Sequence, residues 1–200
     1  MTDMPSPMRA VFWMCGALVS FMAMAVSGRE LSAELNTFQI LFYRSLIGLL
    51  VVCLLLQRSG WAQIRTGNLG LQVIRNLVHF GGQYGWFYGV ALIPLAQVFA
   101  IEFTTPIWTV ILAALILGER VTPARIATVV LGFAGILLIL RPGLEVVSLA
   151  ALAVLAGAVG YATSHTLTKK LSATDSALAI LFFMSVIQLP LGLVPSLADW

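Results

Sequence analysis

The sequence predicts an all-α integral membrane protein, a multi-helix bundle of inverted five-helix repeats. Three observations predict it. Of the 200 residues, 60% are hydrophobic and only 10% are charged, whereas a soluble domain carries about 25% charged residues. Seven segments are long and apolar enough to cross a membrane, since a spanning helix needs about 20 such residues. Two parts of the chain also match each other in opposite membrane orientation, as described below.

The seven predicted helices follow one another with short connections. Their expected bounds are residues 9–28, 36–56, 70–92, 94–117, 123–141, 148–168 and 176–197. The third segment is the least hydrophobic because it contains Arg75, Asn76, His79 and Gln83.

The positive charges predict an orientation, because lysine and arginine are enriched in cytoplasmic loops. With a cytoplasmic N-terminus, the inner side receives eight of these residues and the outer side only two. The inner set is Arg9, Arg58, Arg65, Arg75, Arg120, Arg125, Lys169 and Lys170, and the outer set is Arg29 and Arg141.

An internal repeat appears when the chain is shifted by 140 residues. Residues 31–33 then fall on residues 171–173, and residues 40–42 fall on 180–182. Apolar helices match by chance easily, but the match in the polar loop favours duplication. The shift spans five helices, an odd number, so the second copy enters the membrane inverted, as in many secondary transporters.

This repeat predicts two domains: a first five-helix repeat at residues 9–141 and a partial second repeat, its first two helices, at 148–200. We therefore expect a fragment of a ten-helix molecule, with roughly 80–90 residues lacking by repeat length.

Helices 4 and 5 carry a recognisable pattern. Pro106 lies within helix 4, Gly118–Glu119 ends it, and helix 5 contains Gly132-x-x-Gly135 before closing at Arg141–Pro142. With Arg44 in helix 2, this pattern resembles the EamA domain of the drug/metabolite transporter superfamily. The resemblance implies a ten-helix carrier of the bacterial inner membrane that moves small organic metabolites, often by exchange or with the proton gradient. It marks Pro106, Gly118 and Glu119 as structural residues of the family and assigns no substrate ligand.

Two charges lie inside the predicted spans at the same depth. Arg44 and Glu102 are each eight residues from the outer start of their helices, about 12 Å at 1.5 Å per residue. Intramembrane charges are costly and are usually functional. We expect the two to pair across the bundle or to face one polar cavity, where Glu102 binds substrate or couples protons. The alternative is a structural ion pair that holds helix register.

Further polar side chains are candidates for substrate binding or coupling. Gln83 and Tyr84 in helix 3 lie at the depth of the two charges, and His79 shares the face of Gln83. A packed neutral histidine is the alternative to a proton relay for His79. Helix 6 adds a polar patch at residues 161–165 that includes Tyr161. Arg75 is expected to reach the inner surface by extending along the helix.

Three glycines of helix 3 are predicted to form a close contact with another helix. Gly81, Gly85 and Gly89 form two overlapping G-x-x-x-G motifs, which allow close helix approach. Packing within the bundle and a homodimer seam are both consistent with this spacing. Glu119 and Arg120 are expected to form an interfacial charge pair at the end of helix 4.

The function predicted is a secondary-active transporter of small organic metabolites, with alternating access around a midplane site. No metal-ligand spacing or cofactor motif is present, and no basic run predicts nucleic-acid binding. The expected partners are a small-molecule substrate and the lipid bilayer. The alternatives are a membrane scaffold and an integral-membrane enzyme. The sequence shows no metal-ligating or nucleophilic set for an enzyme, and the inverted repeat and buried charges argue against a scaffold.

Overall fold

A computed structural model describes residues 6–140 and 148–199, and throughout these ranges the regular structure is helical. The prediction of an all-α membrane protein is confirmed. The helices are α1 Ser6–Leu31, α2 Thr37–Ser59, α3 Leu69–Leu92, α4 Leu95–Glu102, α5 Thr105–Leu117, α6 Pro123–Leu140, α7 Leu149–Leu171 and α8 Ala177–Ser196, with short 3₁₀ turns at Trp61–Ile64 and Leu197–Asp199. The predicted close of helix 5 at Arg141–Pro142 lies outside the described residues.

Five of these elements are long and apolar enough to span a bilayer, counting α4 and α5 together as Leu95–Leu117. In α6 the shorter stretch Pro123–Gly135 is also apolar. α3 has the length of a span, but its polar side chains lower its hydropathy. Those side chains are buried against other helices and not exposed to lipid, which explains why so polar a helix is tolerated within the bundle.

Local sequence signals define several helix ends. Asn36 and Gln39 form a capping box at the start of α2, in which each side chain accepts a hydrogen bond from the other residue's backbone amide. Ser148 and Ser176 cap α7 and α8. Each serine hydroxyl accepts a hydrogen bond from the backbone amide of the residue three positions later. At the start of α6, Thr122 accepts from the Arg125 amide at 3.3 Å, as expected of a cap before Pro123.

The predicted helix 4 is broken in two. Pro106 stands in the first turn of α5 and has no amide hydrogen, so the carbonyl of Glu102, four residues earlier, loses its helical donor. The chain turns at Phe103–Thr104, where the Thr104 hydroxyl donates to the Ile101 carbonyl at 2.7 Å. The proline therefore ends one helix and begins another, where the sequence predicted one bent helix.

Two antiparallel helix pairs form the centre of the bundle. α3 packs along α7, and α2 packs along α8. The second pair joins the helices that the 140-residue repeat relates to each other. Gly48 faces Ser185, and a methyl group added at Gly192 would lie 2.8 Å from the backbone nitrogen of Phe42. The two backbones therefore approach very closely.

The contact of α3 with α7 depends on glycines, though not on all those predicted. A Cβ atom at Gly85 would lie 2.3 Å from the Ala153 carbonyl oxygen, and one at Gly89 would lie 2.0 Å from Val154. Gly82 packs on Gly157 in the same way. A Cβ atom at Gly81 would meet no atom of the described residues within 4 Å, so Gly81 takes no part in this contact. Since Gly85 and Gly89 are buried inside the bundle, this motif does not form a homodimer seam.

The two ends of the bundle are named here by residues that lie at them. The Arg29 end holds the α3–α4 junction, where the Arg29 guanidinium donates to the Ile93 carbonyl. The Lys169 end holds the α5–α6 turn, where the αL residue Gly118 ends α5 with φ 67°. The start of α3 meets the α7–α8 turn at the same end, because Gln72 donates to Asp175 at 2.8 Å.

Candidate functional site

The helix break places Glu102 on the wall of a cavity of about 610 Å³, within the range of small-molecule binding sites. This main cavity is lined by α1, α4, α5 and α6, and His165 from α7 completes it. The polar lining residues are Glu102, Thr105, Thr109, Arg125, Thr128 and His165.

Glu102 carries an unsatisfied acceptor. Its Oε2 atom is buried and has no hydrogen-bond partner that meets the geometric criteria in the described structure, and the nearest polar neighbour is the Thr105 side chain. A buried carboxylate oxygen without a partner is costly, so an occupant that donates a hydrogen bond or carries positive charge would be stabilised here.

The predicted direct pairing of Arg44 with Glu102 is wrong. Neither residue takes part in an ion pair within the part of the chain that the structure describes. Arg44 lines a second cavity of about 280 Å³, together with residues of α1 and Phe87 of α3. Tyr161 of α7 interacts electrostatically with both charges. Equal depth did not produce contact, because Glu102 and Arg44 line different cavities.

A group of aromatic side chains joins the linings of the two cavities. Phe21 lines the main cavity and Phe87 lines the second one. Trp86, which is fully buried, packs on both rings, with centroid distances of 5.5 Å to Phe21 and 5.0 Å to Phe87. Three aromatic rings, in one tilted and one edge-on contact, therefore connect the linings of the two cavities.

The polar face of α3 points into the contact with α7 and α8. His79 shares a hydrogen bond of 2.9 Å with Gln188 and stands 5.5 Å from the Tyr161 ring. Gln83 is 1% exposed, and its Nε2 atom has no partner in the described structure. His79, Tyr161 and His165 thus follow one another across the α3–α7 interface, with 6.3 Å between the last two rings.

Tyr84 lies in a different setting from Glu102. Its ring packs 4.6 Å from Phe38 and stacks on Tyr88 at 6.2 Å. The structure thus places Tyr84 in an aromatic group of α2 and α3.

Arg75 does not reach the membrane surface, so that prediction is wrong. Its side chain is 5% exposed. Nε donates to the Thr168 hydroxyl at 2.6 Å and Nη1 to the Asn76 amide oxygen at 2.9 Å. Arg75 is therefore buried because α7 and α8 cover α3, which the sequence of α3 alone does not reveal.

Sequence reasoning also missed Gln188 and Thr168. Gln188 is 2% exposed and bonds the His79 ring. It is the single amide in the otherwise apolar α8, and that isolation was the signal that could have identified it. Thr168 had no comparable signal, because threonines in membrane helices commonly bond their own backbone.

Glu119 closes the Lys169 end of the bundle. Its carboxylate pairs with Arg125 at 2.9 Å and with Lys169. The expected pairing with Arg120 is wrong, because the left-handed turn at Gly118 directs the chain toward α6 and α7. Hydrogen bonds from Lys169 and Arg125 hold the pKa of Glu119 below its usual range.

The buried junction at Asp175 lies at the same end. Burial raises the pKa of Asp175, but hydrogen bonds from Thr66, Gln72 and Thr174 outweigh it and hold that pKa below its ordinary value.

Fold and site together define a multi-pass membrane protein with a largely apolar cavity that carries a few polar side chains and is lined by α1, α4, α5, α6 and α7. Residues 8–141 match the model of the EamA-like transporter family, and the chain belongs to this family. The resemblance inferred from Pro106 and Gly118–Glu119 is thereby confirmed.

Several curated relatives are named transporters. The chain is similar to an S-adenosylmethionine uptake transporter of Rickettsia prowazekii, at 25% identity over 96% of this chain and 66% of that protein. It is 32% identical to a riboflavin transporter of Brucella anthropi, over 76% of this chain and 54% of the other. A pseudopaline exporter of Pseudomonas aeruginosa is 30% identical, over 84% of this chain and 59% of that protein. The chain thus spans less than two thirds of the length of these relatives.

One solved crystal structure shares the fold. It superposes with a TM-score of 0.68 at 21% identity, covering 89% of this chain and 62% of the solved one. At this identity the similarity establishes the helix arrangement alone.

Proposed function

We propose that the chain is the substrate-binding part of a secondary-active transporter of small organic metabolites, which works by alternating access. The observation that carries the proposal is the Glu102 carboxylate, set at a helix break inside the bundle with an unpartnered oxygen on a 610 Å³ cavity. Discontinuous helices that present charged groups to a central site are a recurring feature of secondary transporters.

The packing of the repeats supports alternating access. In this proposal the repeats at 9–141 and 148–200 are the halves that rock against each other. The repeat-related helices α2 and α8 pack antiparallel, as expected near a pseudo-twofold axis in the membrane plane. The rings of Phe21, Trp86 and Phe87 connect the linings of the two cavities, and in this proposal a substrate crosses only when those rings move apart.

The proposed location is the bacterial inner membrane, with the N-terminus and the Lys169 end cytoplasmic. The distribution of lysine and arginine supports this orientation. Since the relatives are named transporters, we propose transport without an enzymatic step. Among the residues predicted for the site, Glu102 and Tyr161 are assigned to the substrate path, Arg44 to the second cavity, and His79 and Gln83 to the interface that opens.

Uptake into proteoliposomes tests the proposal. The chain would be reconstituted and supplied with labelled S-adenosylmethionine or riboflavin, with and without a pH gradient. We expect uptake above that of empty liposomes, and Glu102→Gln should reduce it at least about tenfold, as expected when an intramembrane charge serves the transport path.

The matched control is Glu30→Gln, because Glu30 is exposed at the end of α1. It should transport like the unaltered chain. Full uptake by Glu102→Gln would remove Glu102 from the mechanism, and uptake of neither compound by a correctly folded chain would contradict transport of these two substrates.

A further inference from the structure

Four side chains with basic groups interact around the contact of α3 with α7, and no carboxylate among the described residues forms an ion pair with them. His79 interacts electrostatically with Arg44, Arg75 and His165, and His165 interacts with Arg75. They come from α2, α3 and α7, and thus from both repeats. Within the described residues, the ion pairs involve only Glu119, Arg125 and Lys169, so this cluster is not neutralised by a carboxylate.

Arg75 is the centre of this basic cluster. It is 5% exposed, and its three nitrogens meet only neutral groups: Thr168, Asn76 and, at 3.9 Å, the Met184 sulfur. A buried guanidinium without an anion is expensive in a membrane protein. Charges inside membrane proteins usually serve a function, which directs attention to the groups around Arg75.

Two hydrogen-bond donors near Arg75 have no acceptor in the described structure. The Asn76 Nδ2 and Ser164 Oγ atoms are buried without partners, and both residues are 0% exposed. Ser164 precedes His165, and its carbonyl accepts from the Thr168 hydroxyl that Arg75 also contacts. The site therefore supplies neutral donors next to a fixed positive charge, the combination that binds oxyanions in proteins.

The basic cluster reaches the main cavity at His165, which is exposed and lines it. Arg125 also lines this cavity, but Glu119 neutralises it at 2.9 Å. Glu102 lines the same cavity and is the one carboxylate in the interior of the described spanning helices. The cavity thus has a carboxyl group at Glu102 and an imidazole at His165.

The geometry points to an oxyanion subsite at the His165 wall of the main cavity, charged by Arg75 behind it, that receives a carboxylate or phosphate of the transported molecule. This inference rests on the proposed function and adds to it the substrate class: small organic anions and zwitterions. In a zwitterion, the cationic group would occupy the Glu102 wall.

A pair of flavins provides a matched test, since riboflavin and riboflavin 5′-phosphate differ by one phosphate. Both would be titrated against the purified full chain in lipid nanodiscs, with binding followed by flavin fluorescence. We expect riboflavin 5′-phosphate to bind more tightly. Arg75→Gln should weaken its binding about tenfold and leave the riboflavin affinity unchanged.

Two further variants keep the test decisive. Arg58→Gln removes an exposed arginine at the end of α2 and should retain the phosphate preference. His165→Gln changes an exposed side chain, so the fold should tolerate it. This variant should lose the preference for riboflavin 5′-phosphate over riboflavin. Thermal unfolding adds a readout that separates binding from structure: unliganded Arg75→Gln should be at least as stable as the unaltered chain, because it removes an uncompensated buried charge.

Equal affinities for the two flavins, no binding of either, or a phosphate preference that survives both Arg75→Gln and His165→Gln would overturn the subsite. The proposed function fails separately. Uptake of neutral riboflavin without a charge preference would leave transport standing and remove only the oxyanion subsite, whereas uptake of neither S-adenosylmethionine nor riboflavin would contradict transport of those substrates and leave the binding test unaffected.

Discussion

Gly85→Ala should destabilise the bundle through its tightest helix contact. The new methyl carbon would lie 2.3 Å from the Ala153 carbonyl oxygen and 3.1 Å from its carbon. An ordinary carbon–oxygen contact is about 1 Å longer than the first of these distances. Because the obstacle is backbone, α3 and α7 would have to move apart by about that amount along their shared length.

The magnitude follows from overpacking, which costs about 1–3 kcal/mol in well-packed proteins. Two alanine variants on the same helix provide a graded comparison. At Gly89 the added carbon meets the Val154 side chain, which can adopt another rotamer, and at Gly81 it meets open space. We therefore expect the loss of unfolding free energy to fall in the order Gly85→Ala, Gly89→Ala, Gly81→Ala, with the last near zero.

Thermal unfolding of the three variants in one detergent, followed by tryptophan fluorescence, measures this order. All three substitutions replace glycine by alanine within α3, so differences in helix propensity cancel. Equal midpoints for Gly81→Ala and Gly85→Ala would refute the reasoning, as would a larger loss at Gly89 than at Gly85.

Three further predictions concern charge and helix geometry. The double variant Arg44→Glu with Glu102→Arg should not recover the uptake lost by either single change, because the two side chains form no ion pair; full recovery in the proteoliposome assay would restore the pairing hypothesis. Pro106→Ala supplies the amide that the Glu102 carbonyl lacks. It should favour a continuous helix and lower uptake while the thermal midpoint stays equal or rises, and unchanged uptake would separate the helix break from transport. Since its partners lower the pKa of Glu119, its ion pairs stabilise the fold above the unfolded carboxyl pKa of about 4.3. That contribution is lost as the pH falls through the lower folded pKa. Glu119→Gln should therefore reduce the acid sensitivity of the thermal midpoint, and an identical pH profile would contradict the role of these pairs.

Several local features could be predicted because their causes are local. The spans follow from the length of apolar segments, and the Thr122 hydroxyl caps the start of α6 before Pro123, as expected for these residue types. Pro106, which lies within the predicted helix 4, stands at the break between α4 and α5. The extent of the break was not predictable. A bent helix and two separate helices both lack the same backbone hydrogen bond at Pro106, so the sequence does not decide between them.

Contacts between helices were predicted less well. Gly81 and Gly85 belong to the same motif, yet only Gly85 meets another backbone. Arg75 has the depth of a side chain that reaches the surface, but neighbouring helices bury it. In each case the sequence supplies the position along the helix axis and leaves the rotation about that axis open.

The sequence by itself determined that the chain lies in a membrane, where its helices run, and that Glu102 is an unusual charge among them. These properties depend on the hydrophobic thickness of the bilayer and on residues within a few turns of each other. Only the tertiary structure decided that Glu102 faces a cavity with His165 while Arg44 faces another. That outcome depends on α7, which packs along α3 at distances only glycines allow and brings His165 to the cavity that Glu102 lines. No local rule sets such an arrangement, because it results from the packing of the whole bundle.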